Sequence, residues 1–529
     1  MAQKTTFNGK VYSEPGTASE IKSGVRNTGS PLSSGNVLII DTKPITDDES
    51  FGGGVGVNDT SNDRQITDAF VLNEFNSPKE MKFFVKGGYL YELADYLYNP
   101  HPSINGAAKV YYMRAAATEP SVKAYSGLGT GAGGAITFTT KEEGLFTEGN
   151  KNASNELDYG YGISIVSGTV DTAKFKFQFW RGTYRGANAQ GFLYDGISRA
   201  TAAGLPTLVA ESGEVATLTE LVADLDINPD FNKYFTYSGV TNDTLDGGDK
   251  STDYDLMAGG SETFSNAHLL TALSLAAELD NSFILCLDEG DDAGTNNLAI
   301  LSHIQNDASF KKFAFIPGGG TQAKFVTDSK VDAATFNSRY GILCHHSFKV
   351  PYSLNPSILV SKPSLLFAAA VCGAHAGAPP QTSLTYKPIR VGVLDHVLTE
   401  SERVDALNSG VLHLKNVRSL GWVINQAINT KQSNDYLINN DGSSPEISVE
   451  RIIAQVNREI SEGAEPLFIG GNRYTVTEGD ILTYSEGYLS NNLAVLGEKD
   501  GMIISFSNVK AARTGTVWNV TYDFEANTP

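Results

Sequence analysis

The chain has 529 residues, which is too long for a single hydrophobic core and predicts about three or four domains. Hydrophobic residues make up 41% of it, which excludes a disordered chain. The formal net charge is -20, from 40 basic and 60 acidic residues, and argues against a nucleic-acid-binding protein, since such proteins present a basic face.

The first 30 residues are polar and lack helical periodicity, so we expect an extended N-terminal arm. The segment NVLIID, from Asn36, then predicts a buried strand, and AKVYYMRAA predicts another. Between them a helix is predicted to begin after Ser77, with one apolar face formed by Leu90, Leu93, Ala94 and Leu97. Strand, helix and strand in this order indicate an α/β unit.

Residues 121–265 are rich in Gly, Thr, Ser, Asp and Tyr. The segments GGAITFTTK, YGISIVSGTV and AKFKFQFWRG have strand patterns and predict a mostly antiparallel sheet. From about 266 to 350 helical and strand segments alternate, which favours buried parallel strands with crossover helices.

The last third predicts helices within PSLLFAAAVCGAHA, TESERVDALNSG and SVERIIAQVNREIS. Hairpin-like strands are predicted within NRYTVTEG and GYLSNNLAVLGEKDGMIISFSNV. Near the chain end two sets of residues alternate, which predicts a strand with one apolar face. The polar-face set is Val517, Asn519, Thr521 and Asp523, and the apolar set is Trp518, Val520, Tyr522 and Phe524.

The three cysteines, Cys286, Cys344 and Cys372, lie in apolar surroundings and form no C-x-x-C motif. We therefore expect buried free thiols in a reducing compartment. The opening residues carry no apolar signal segment, and the apolar run from Ser364 is too short to span a membrane. We expect synthesis in the cytoplasm without export by a standard N-terminal signal.

A G-x-G-x-x-G pattern occurs at Gly129, Gly131 and Gly134. A dinucleotide site needs a strand before this pattern and a helix after it, because the helix N-terminus meets the pyrophosphate. Here the strand-like AITFTTK follows, so we interpret the glycines as a loop or hairpin.

Two other patterns suggest metal sites but favour structural roles. His345 and His346 follow Cys344 directly, and adjacent strand residues point to opposite faces, so they do not converge on one ion. The acidic segments 242–249 and 288–294 lack the ligand spacing of an EF-hand and are interpreted as solvated turns. His375, in an apolar helix, is interpreted as a core or interface residue, and we predict no catalytic residue, metal or cofactor.

Several motifs of the last third follow one another in the order LLFAAAVCGAHAGAPP, IRVGVLDHVLT, ERVDALNSGVLHL, GWVINQAINT and ISVERIIAQVNREI. Near the front, FFVKGGYLYELADYLYNP is followed by AAKVYYMRAA. In this order the motifs resemble the contractile tail sheath proteins of phages and related injection systems. The positions that carry the resemblance are Asn408, Gly410, Gly421, Asn425, Thr430 and Arg451.

The resemblance implies an α/β and α+β multidomain fold, with a discontinuous inner α/β core, inserted outer β-rich and α/β domains, and extended terminal arms. The expected boundaries are 1–30 for the N-terminal arm, 31–120 plus 350–511 for the inner core, 121–265 for the β-rich insertion, 266–349 for the α/β middle domain and 512–529 for the C-terminal arm. It also implies strand exchange between copies through residues 517–524 and through Val11 and Tyr12.

The resemblance further implies a structural subunit that is not an enzyme and works in a virion tail assembled in the bacterial host cytoplasm. Its expected partners are further copies, in hexameric rings and a helical polymer, with the tail tube, baseplate and tail terminator proteins. No direct nucleic-acid contact and no membrane insertion are expected. An α/β enzyme that uses the Gly-rich loop and a secreted calcium-binding surface protein remain alternatives.

Overall fold

The computed structural model describes residues 5–7, 10–12, 35–42, 70–85, 88–143, 149–151, 157–182, 206–277, 279, 282–288, 296–306, 311–351, 356–357, 359–431, 444–468, 476–493, 501–514 and 517–527. Four predicted features lie largely or partly outside these residues. They are most of the N-terminal arm, the acidic turn after Asp288, the first half of the strand within NRYTVTEG, and residues 494–500 of the segment GYLSNNLAVLGEKDGMIISFSNV.

The described strands run in chain order as β1 (Thr5–Phe7), β2 (Lys10–Tyr12), β3 (Asn36–Asp41), β4 (Leu72–Phe75), β5 (Lys109–Arg114), β6 (Ala117–Leu128), β7 (Gly134–Glu143), β8 (Asn150–Lys151), β9 (Leu157–Tyr159), β10 (Tyr161–Ser167), β11 (Phe175–Arg181), β12 (Thr207–Glu211), β13 (Phe235–Thr241), β14 (Ser251–Leu256), β15 (Ser261–Thr263), β16 (Phe283–Leu285), β17 (Phe313–Gly320), β18 (Gly341–His346), β19 (Phe348–Pro351), β20 (Leu359–Lys362), β21 (Val393–Leu394), β22 (Val411–Leu412), β23 (Leu414–Val417), β24 (Gly421–Ile424), β25 (Ile503–Thr514) and β26 (Val517–Ala526).

The described helices are α1 (Pro78–Val85), α2 (Gly88–Tyr98), α3 (Leu218–Ile227), α4 (Pro229–Tyr234), α5 (Asn266–Leu275), α6 (Asn296–Asn306), α7 (Gln322–Lys324), α8 (Lys330–Phe336), α9 (Ser364–Ala376), α10 (Glu400–Asn408), α11 (Ile447–Phe468) and α12 (Glu478–Asn491). A π-helical turn, Phe325–Ser329, joins α7 to α8.

The chain divides into two compact units. Unit 1 comprises residues 1–39, 95–111 and 277–529, and unit 2 comprises residues 40–94 and 112–276. These units and the predicted domains divide the chain differently, and the predicted boundaries stay predictions.

Unit 1 contains a parallel sheet with the strand order β22-β18-β17-β16-β3. Strands β16 and β18 are buried along their whole length, as expected for parallel strands covered on both faces. Helix α9 packs against β16, β17 and β18, and all of its residues are buried. The predicted α/β alternation in this part of the chain is therefore confirmed.

Unit 2 contains two antiparallel four-stranded sheets, β12-β11-β10-β14 and β13-β7-β6-β15. The two sheets share one core with α3 and α4. Phe179 lies at its centre, with ring centroids 5.1 Å from Phe138, 5.0 Å from Phe231 and 5.0 Å from Phe235. The predicted antiparallel sheet in residues 121–265 is confirmed, and the two helices are additional to the prediction.

The prediction of a strand within GYLSNN was wrong, because residues 487–491 belong to helix α12, and the described end of NRYTVTEG, Glu478 and Gly479, belongs to the same helix. The Thr477 side chain accepts a hydrogen bond from the Asp480 amide at 3.3 Å, and the Asp480 carboxylate accepts one from the Thr477 amide at 2.8 Å. This capping box starts the helix, and Ile481, Tyr488 and Leu489 then share its buried face. No helix in the described part of the chain is both long enough and apolar enough to cross a bilayer.

Candidate functional site

Gly410 ends helix α10 in a conformation that favours glycine. Its φ angle is +75°, and a Cβ atom built there would lie 2.8 Å from the Cα of Thr430 and 3.0 Å from the carbonyl oxygen of Asn429. Both features exclude a side chain, so the chain after α10 passes directly over the segment that contains Thr430.

Thr430 ties that segment to the sheet of unit 1. Its amide donates to the Gly341 carbonyl oxygen at 2.8 Å, where β18 begins. Its Oγ1 donates to the Ser338 carbonyl oxygen at 3.0 Å and accepts from the Ser338 amide at 3.1 Å. The side chain is fully buried, so these bonds satisfy a hydroxyl that would otherwise be costly.

Arg451 binds the backbone just after the end of helix α9. Its guanidinium lies buried on α11 and donates to the carbonyl oxygens of Ala378 at 2.7 Å and Pro379 at 3.4 Å. It also lies over the Phe283 ring, 5.3 Å from the centroid. Burial lowers the pKa of Arg451 to about 9, since the charged form loses hydration there.

The other three motif positions lie on hairpin β23–β24 and at the end of α10. Gly421, with φ +76°, opens β24 after the hairpin turn. The Asn425 amide donates to the His413 carbonyl oxygen at 3.0 Å, and its side-chain Nδ2 lies 3.0 Å from His413 Nε2. Asn408 is the last residue of α10, with an exposed side chain. The structure therefore brings Gly410 and Thr430 together, while Arg451, Asn425, Gly421 and Asn408 make separate contacts.

The terminal strand β26 has the predicted alternation. Its side chains at Trp518, Val520, Tyr522 and Phe524 are half-buried, and those at Val517, Asn519, Thr521 and Asp523 are exposed. Of this half-buried face, Tyr522, Phe524 and Ala526 pack against a cluster that includes residues of α11, α12 and β25. The Tyr522 hydroxyl also donates to the Asn457 side chain, and burial raises the pKa of Tyr522 to about 12.

Strand β26 pairs with β25 in an antiparallel hairpin. Among the described residues this sheet has only two strands, and β26 has no strand on its other side. Val11 and Tyr12 lie in β2, which pairs with β1. Exchange of these strands between copies stays a prediction.

The Gly-rich loop at 129–134 connects β6 to β7, as the hairpin interpretation predicted, and Gly134 is the first residue of β7. Its amides already have anionic partners. Gly131 and Gly133 donate to the Asp243 carboxylate at 3.1 and 3.2 Å, and Gly129 donates to Asp249 at 3.0 Å. The loop therefore uses for its own fold the N–H groups that would hold a phosphate in a nucleotide site.

The Asp243 carboxylate should therefore stabilise unit 2 in a pH-dependent way. Hydrogen bonds from the Thr244, Gly133 and Gly131 amides lower its pKa below the usual value. A carboxylate with a lowered pKa stabilises the fold above its ordinary pKa, and this contribution disappears as the pH falls through the folded-state value.

We expect Asp243→Asn to lower the thermal midpoint of unit 2 at pH 7, and we expect this deficit to shrink as the pH falls below the ordinary aspartate pKa of 3.8 and through the lowered folded-state value. The exposed Asp230→Asn, in the first turn of α4, is the matched control and should leave the midpoint nearly unchanged. Calorimetry across this pH range tests the prediction, and an Asp243→Asn deficit that is the same at every pH would contradict the carboxylate's role.

The buried histidines and cysteines agree with the structural interpretations. His345, His346 and His375 are fully buried, and all three cysteines are buried free thiols. No group of three or more His, Cys, Asp or Glu residues is arranged to hold a metal ion within the described ranges. His375 lies within the core, with its ring 5.5 Å from that of Phe315.

Sequence reasoning did not find the partners of His345 and His346. His345 Nε2 lies 3.1 Å from His396 Nδ1, and His346 Nε2 accepts from the Leu414 amide at 2.9 Å. These partners lie 51 and 68 positions away in the chain. No local pattern could have connected them.

Comparison with models of protein families found no match, and neither did a search of curated protein sequences. Among solved structures, the sheath tail protein of Desulfitobacterium hafniense has a TM-score of 0.52 and 13% sequence identity, over 94% of this chain and 97% of that one. The sheath tail protein of Listeria innocua has a TM-score of 0.47 and 13% identity, over 96% and 97%. The helical sheath of the anti-feeding prophage in its contracted state has a TM-score of 0.36 and 15% identity, over 51% and 76%.

The chain therefore shares the fold of the Desulfitobacterium hafniense sheath tail protein over nearly its whole length. The predicted fold class, a multidomain chain that mixes α/β and α+β parts, is confirmed.

Proposed function

We propose that this protein is the structural subunit of a contractile tail sheath in a phage or a related injection system. Copies stack as hexameric rings around a tail tube and contract from a metastable extended state, and this contraction drives the tube through the host envelope. The observation that carries the proposal is the fold, which covers 94% of this chain and 97% of a sheath tail protein. The order of motifs from LLFAAAVCGAHAGAPP to ISVERIIAQVNREI supports it independently.

The C-terminal hairpin supports the polymer part of the proposal. A two-stranded sheet is marginal alone, and an edge strand presents a row of unpaired N–H and C=O groups. In the described residues β26 offers such an edge along ten residues, while Tyr522, Phe524 and Ala526 of its apolar face pack on its own subunit. A strand from a neighbouring copy can extend this sheet through main-chain hydrogen bonds. Repeated contacts of this kind that do not close give a helical tube.

Contraction then requires rearrangement of contacts between subunits and no bond chemistry. The extended lattice is a kinetically trapped state, and the contracted lattice buries more contact. Paired terminal strands keep neighbouring copies linked while the rigid units repack. The partners of the sheath are further copies, the tail tube, the baseplate and the terminator, and its location is the virion tail after assembly in the host cytoplasm.

The observed loop contacts do not favour the two alternatives. The carboxylates of Asp243 and Asp249 accept amide hydrogens from the Gly-rich loop. This pairing occupies both the amides that an enzyme would offer to a phosphate and two carboxylates that a calcium site would need.

Expression of the full chain alone tests the proposal. We expect negative-stain electron microscopy to show tubes or stacked rings, and light scattering to show particles many times larger than the 56.6 kDa chain. Addition of a cognate tube protein should give tubes with a filled lumen. Uniform small particles at all protein concentrations, with or without the tube protein, would contradict the proposal.

A further inference from the structure

Four of the eight histidines lie together in unit 1, at the edge of the parallel sheet where β22 pairs with β18. They are His345, His346, His396 and His413, and each is at most 5% exposed. Strand β22 is the outermost strand of this sheet and only two residues long, with Val411 opposite Leu343 and Leu412 opposite Cys344. So short a pairing is weak by itself, and the histidines supply further bonds beside it.

Two of these bonds require an unprotonated ring nitrogen. The Leu414 amide can only donate, and it lies 2.9 Å from His346 Nε2, so that nitrogen accepts. The Val411 carbonyl oxygen can only accept, and it lies 3.1 Å from His413 Nδ1, so that nitrogen carries the ring's proton. His413 Nε2 is then the acceptor for the Asn425 side chain, 3.0 Å away. Both rings therefore bind β23 and the segment after β24 in their neutral forms.

A second chain of bonds joins the segment before α10 to β18. The Ser329 hydroxyl lies 2.9 Å from His345 Nδ1, and His345 Nε2 lies 3.1 Å from His396 Nδ1. His396 Nε2 faces a carboxylate oxygen of Glu402 at 3.5 Å. When each ring carries one proton on Nε2, every contact in this series, from the serine hydroxyl to the carboxylate, joins one donor to one acceptor.

The surroundings disfavour charge on the inner rings. Burial is the main cause that lowers the pKa of His345 to about 3, and nearby His396 and His413 add to it. Burial also lowers the pKa of His413 to about 4, and the Arg403 guanidinium contributes to this shift. The pKa of His346 is lowered for the same main reason, with the other three histidines adding to the effect.

The remaining neighbours are aromatic or already paired. The Phe325 ring lies 5.0 Å from that of His345 and 5.7 Å from that of His396. The Phe367 ring lies 5.6 Å from that of His346. Asp395, next to His396 in sequence, accepts from the Ser347 hydroxyl at 2.8 Å and pairs with Lys349 at 3.0 Å. The Arg403 guanidinium donates to the Leu398 carbonyl oxygen at 2.9 Å.

We infer that α10, β22 and β23 are held on the sheet by a latch of neutral histidines, which proton uptake opens before the rest of unit 1 unfolds. A proton on His346 Nε2 faces the Leu414 N–H donor and removes the bond. Helix α10 has few other contacts to hold it, because Ala406 is its one buried residue and the ion pair of its Asp405 with Lys330 of α8, at 2.5 Å, is partly exposed. The segment 400–417 therefore leaves the sheet as one piece, while β16, β17 and α9 remain packed. This inference does not depend on the proposed function.

Hydrogen exchange of the full chain, followed by mass spectrometry from pH 7.5 to 5, tests the latch. Protection is taken as the intrinsic exchange rate at each pH divided by the observed rate. Below about pH 6.5, the ordinary histidine value, peptides from 400–417 should lose protection at least tenfold per pH unit, since opening takes up at least one proton. Peptides from β17 should keep their protection over this range.

The variant His346→Gln separates a titrating latch from a merely structural contact. The Gln carbonyl oxygen can accept from the Leu414 amide but cannot be protonated, so the slope of log protection against pH for 400–417 should fall by about one. His413→Gln should have a similar effect. The matched control His101→Gln changes a half-buried ring of unit 1 that lies outside the cluster and is bound to Ser103, and it should keep the parent's slope.

Two results would overturn the latch. One is an unchanged slope in His346→Gln, and the other is loss of protection in 400–417 and β17 together in the parent chain. The second comparison needs no variant, so it decides the question even where His346→Gln folds poorly.

Discussion

Gly373→Ala should lower the free energy of unfolding of unit 1 by about 3 kcal/mol or more, or prevent folding. Gly373 lies in the fully buried helix α9, and an added Cβ would lie 2.2 Å from the Leu97 carbonyl oxygen and 2.8 Å from the Leu97 carbonyl carbon. The Leu97 carbonyl cannot move aside easily, because it accepts a hydrogen bond from the Ala107 amide at 2.9 Å. Urea denaturation of the purified variants measures the effect.

Gly487→Ala is the matched control for this prediction. Gly487 also lies in a helix, α12, but it is exposed and a Cβ there would meet nothing within 4 Å. Alanine is the better helix former, so the same substitution should raise stability by up to about 1 kcal/mol. Equal effects of the two substitutions would contradict a close contact between α9 and the Leu97 carbonyl.

Helix α9 illustrates which part of the fold the sequence predicts. The apolar run from Ser364 identifies a buried helix, and its neighbours β16, β17 and β18 were predicted from short apolar runs between helical segments. The sequence does not show why position 373 requires glycine, because Leu97, whose carbonyl a side chain there would meet, lies in another part of the chain. Local periodicity reports which face is buried, and it does not report what backbone passes over that face.

The missed helix α12 had a readable signal. Tyr488 and Leu489 favour strands in a short window, yet Thr477 and Asp480 have the spacing of a helix capping box. The same holds for α3, where the Thr217 side chain accepts from the Glu220 amide at 3.2 Å. In α12 this start signal outweighed the strand-like composition, and in both places the cap could have been used to predict the helix.

The motif residues of unit 1 show the limit of sequence reasoning about the site. Gly410 and Gly421 have positive φ angles, which glycine in a turn context suggests. The contacts of Thr430 with Ser338 and of Arg451 with Ala378 connect positions 92 and 73 residues apart. Those contacts exist because distant segments meet on the same sheet, so they follow from the tertiary fold alone. The resemblance pointed to these positions, but it could not give the contacts that each one makes.

A proline at one of two neighbouring positions in β26 should weaken polymer assembly without destabilising the subunit. Successive residues of a strand direct their N–H groups to opposite edges, so of Asn519 and Val520 one faces β25 and the other faces the open edge. Proline removes the N–H at either position and blocks pairing on that edge. The variant altered on the β25 side should unfold more easily. The variant altered on the open edge should melt like the parent, yet remain in small particles at the concentration at which the parent forms tubes.

The size of the effect on assembly follows from the main-chain hydrogen bonds that the neighbouring strand would lose. Each lost main-chain bond costs about 1 kcal/mol, and the proline ring also keeps a neighbouring strand at a distance. Because every 1.4 kcal/mol changes an association constant tenfold, the protein concentration at which tubes appear should rise by at least about tenfold. Sedimentation of both variants over a concentration series, beside their melting curves, measures this. Tubes formed at the parent's concentration by the variant that melts normally would mean that β26 is not a link between copies, and the subunit contacts would then have to lie on other faces.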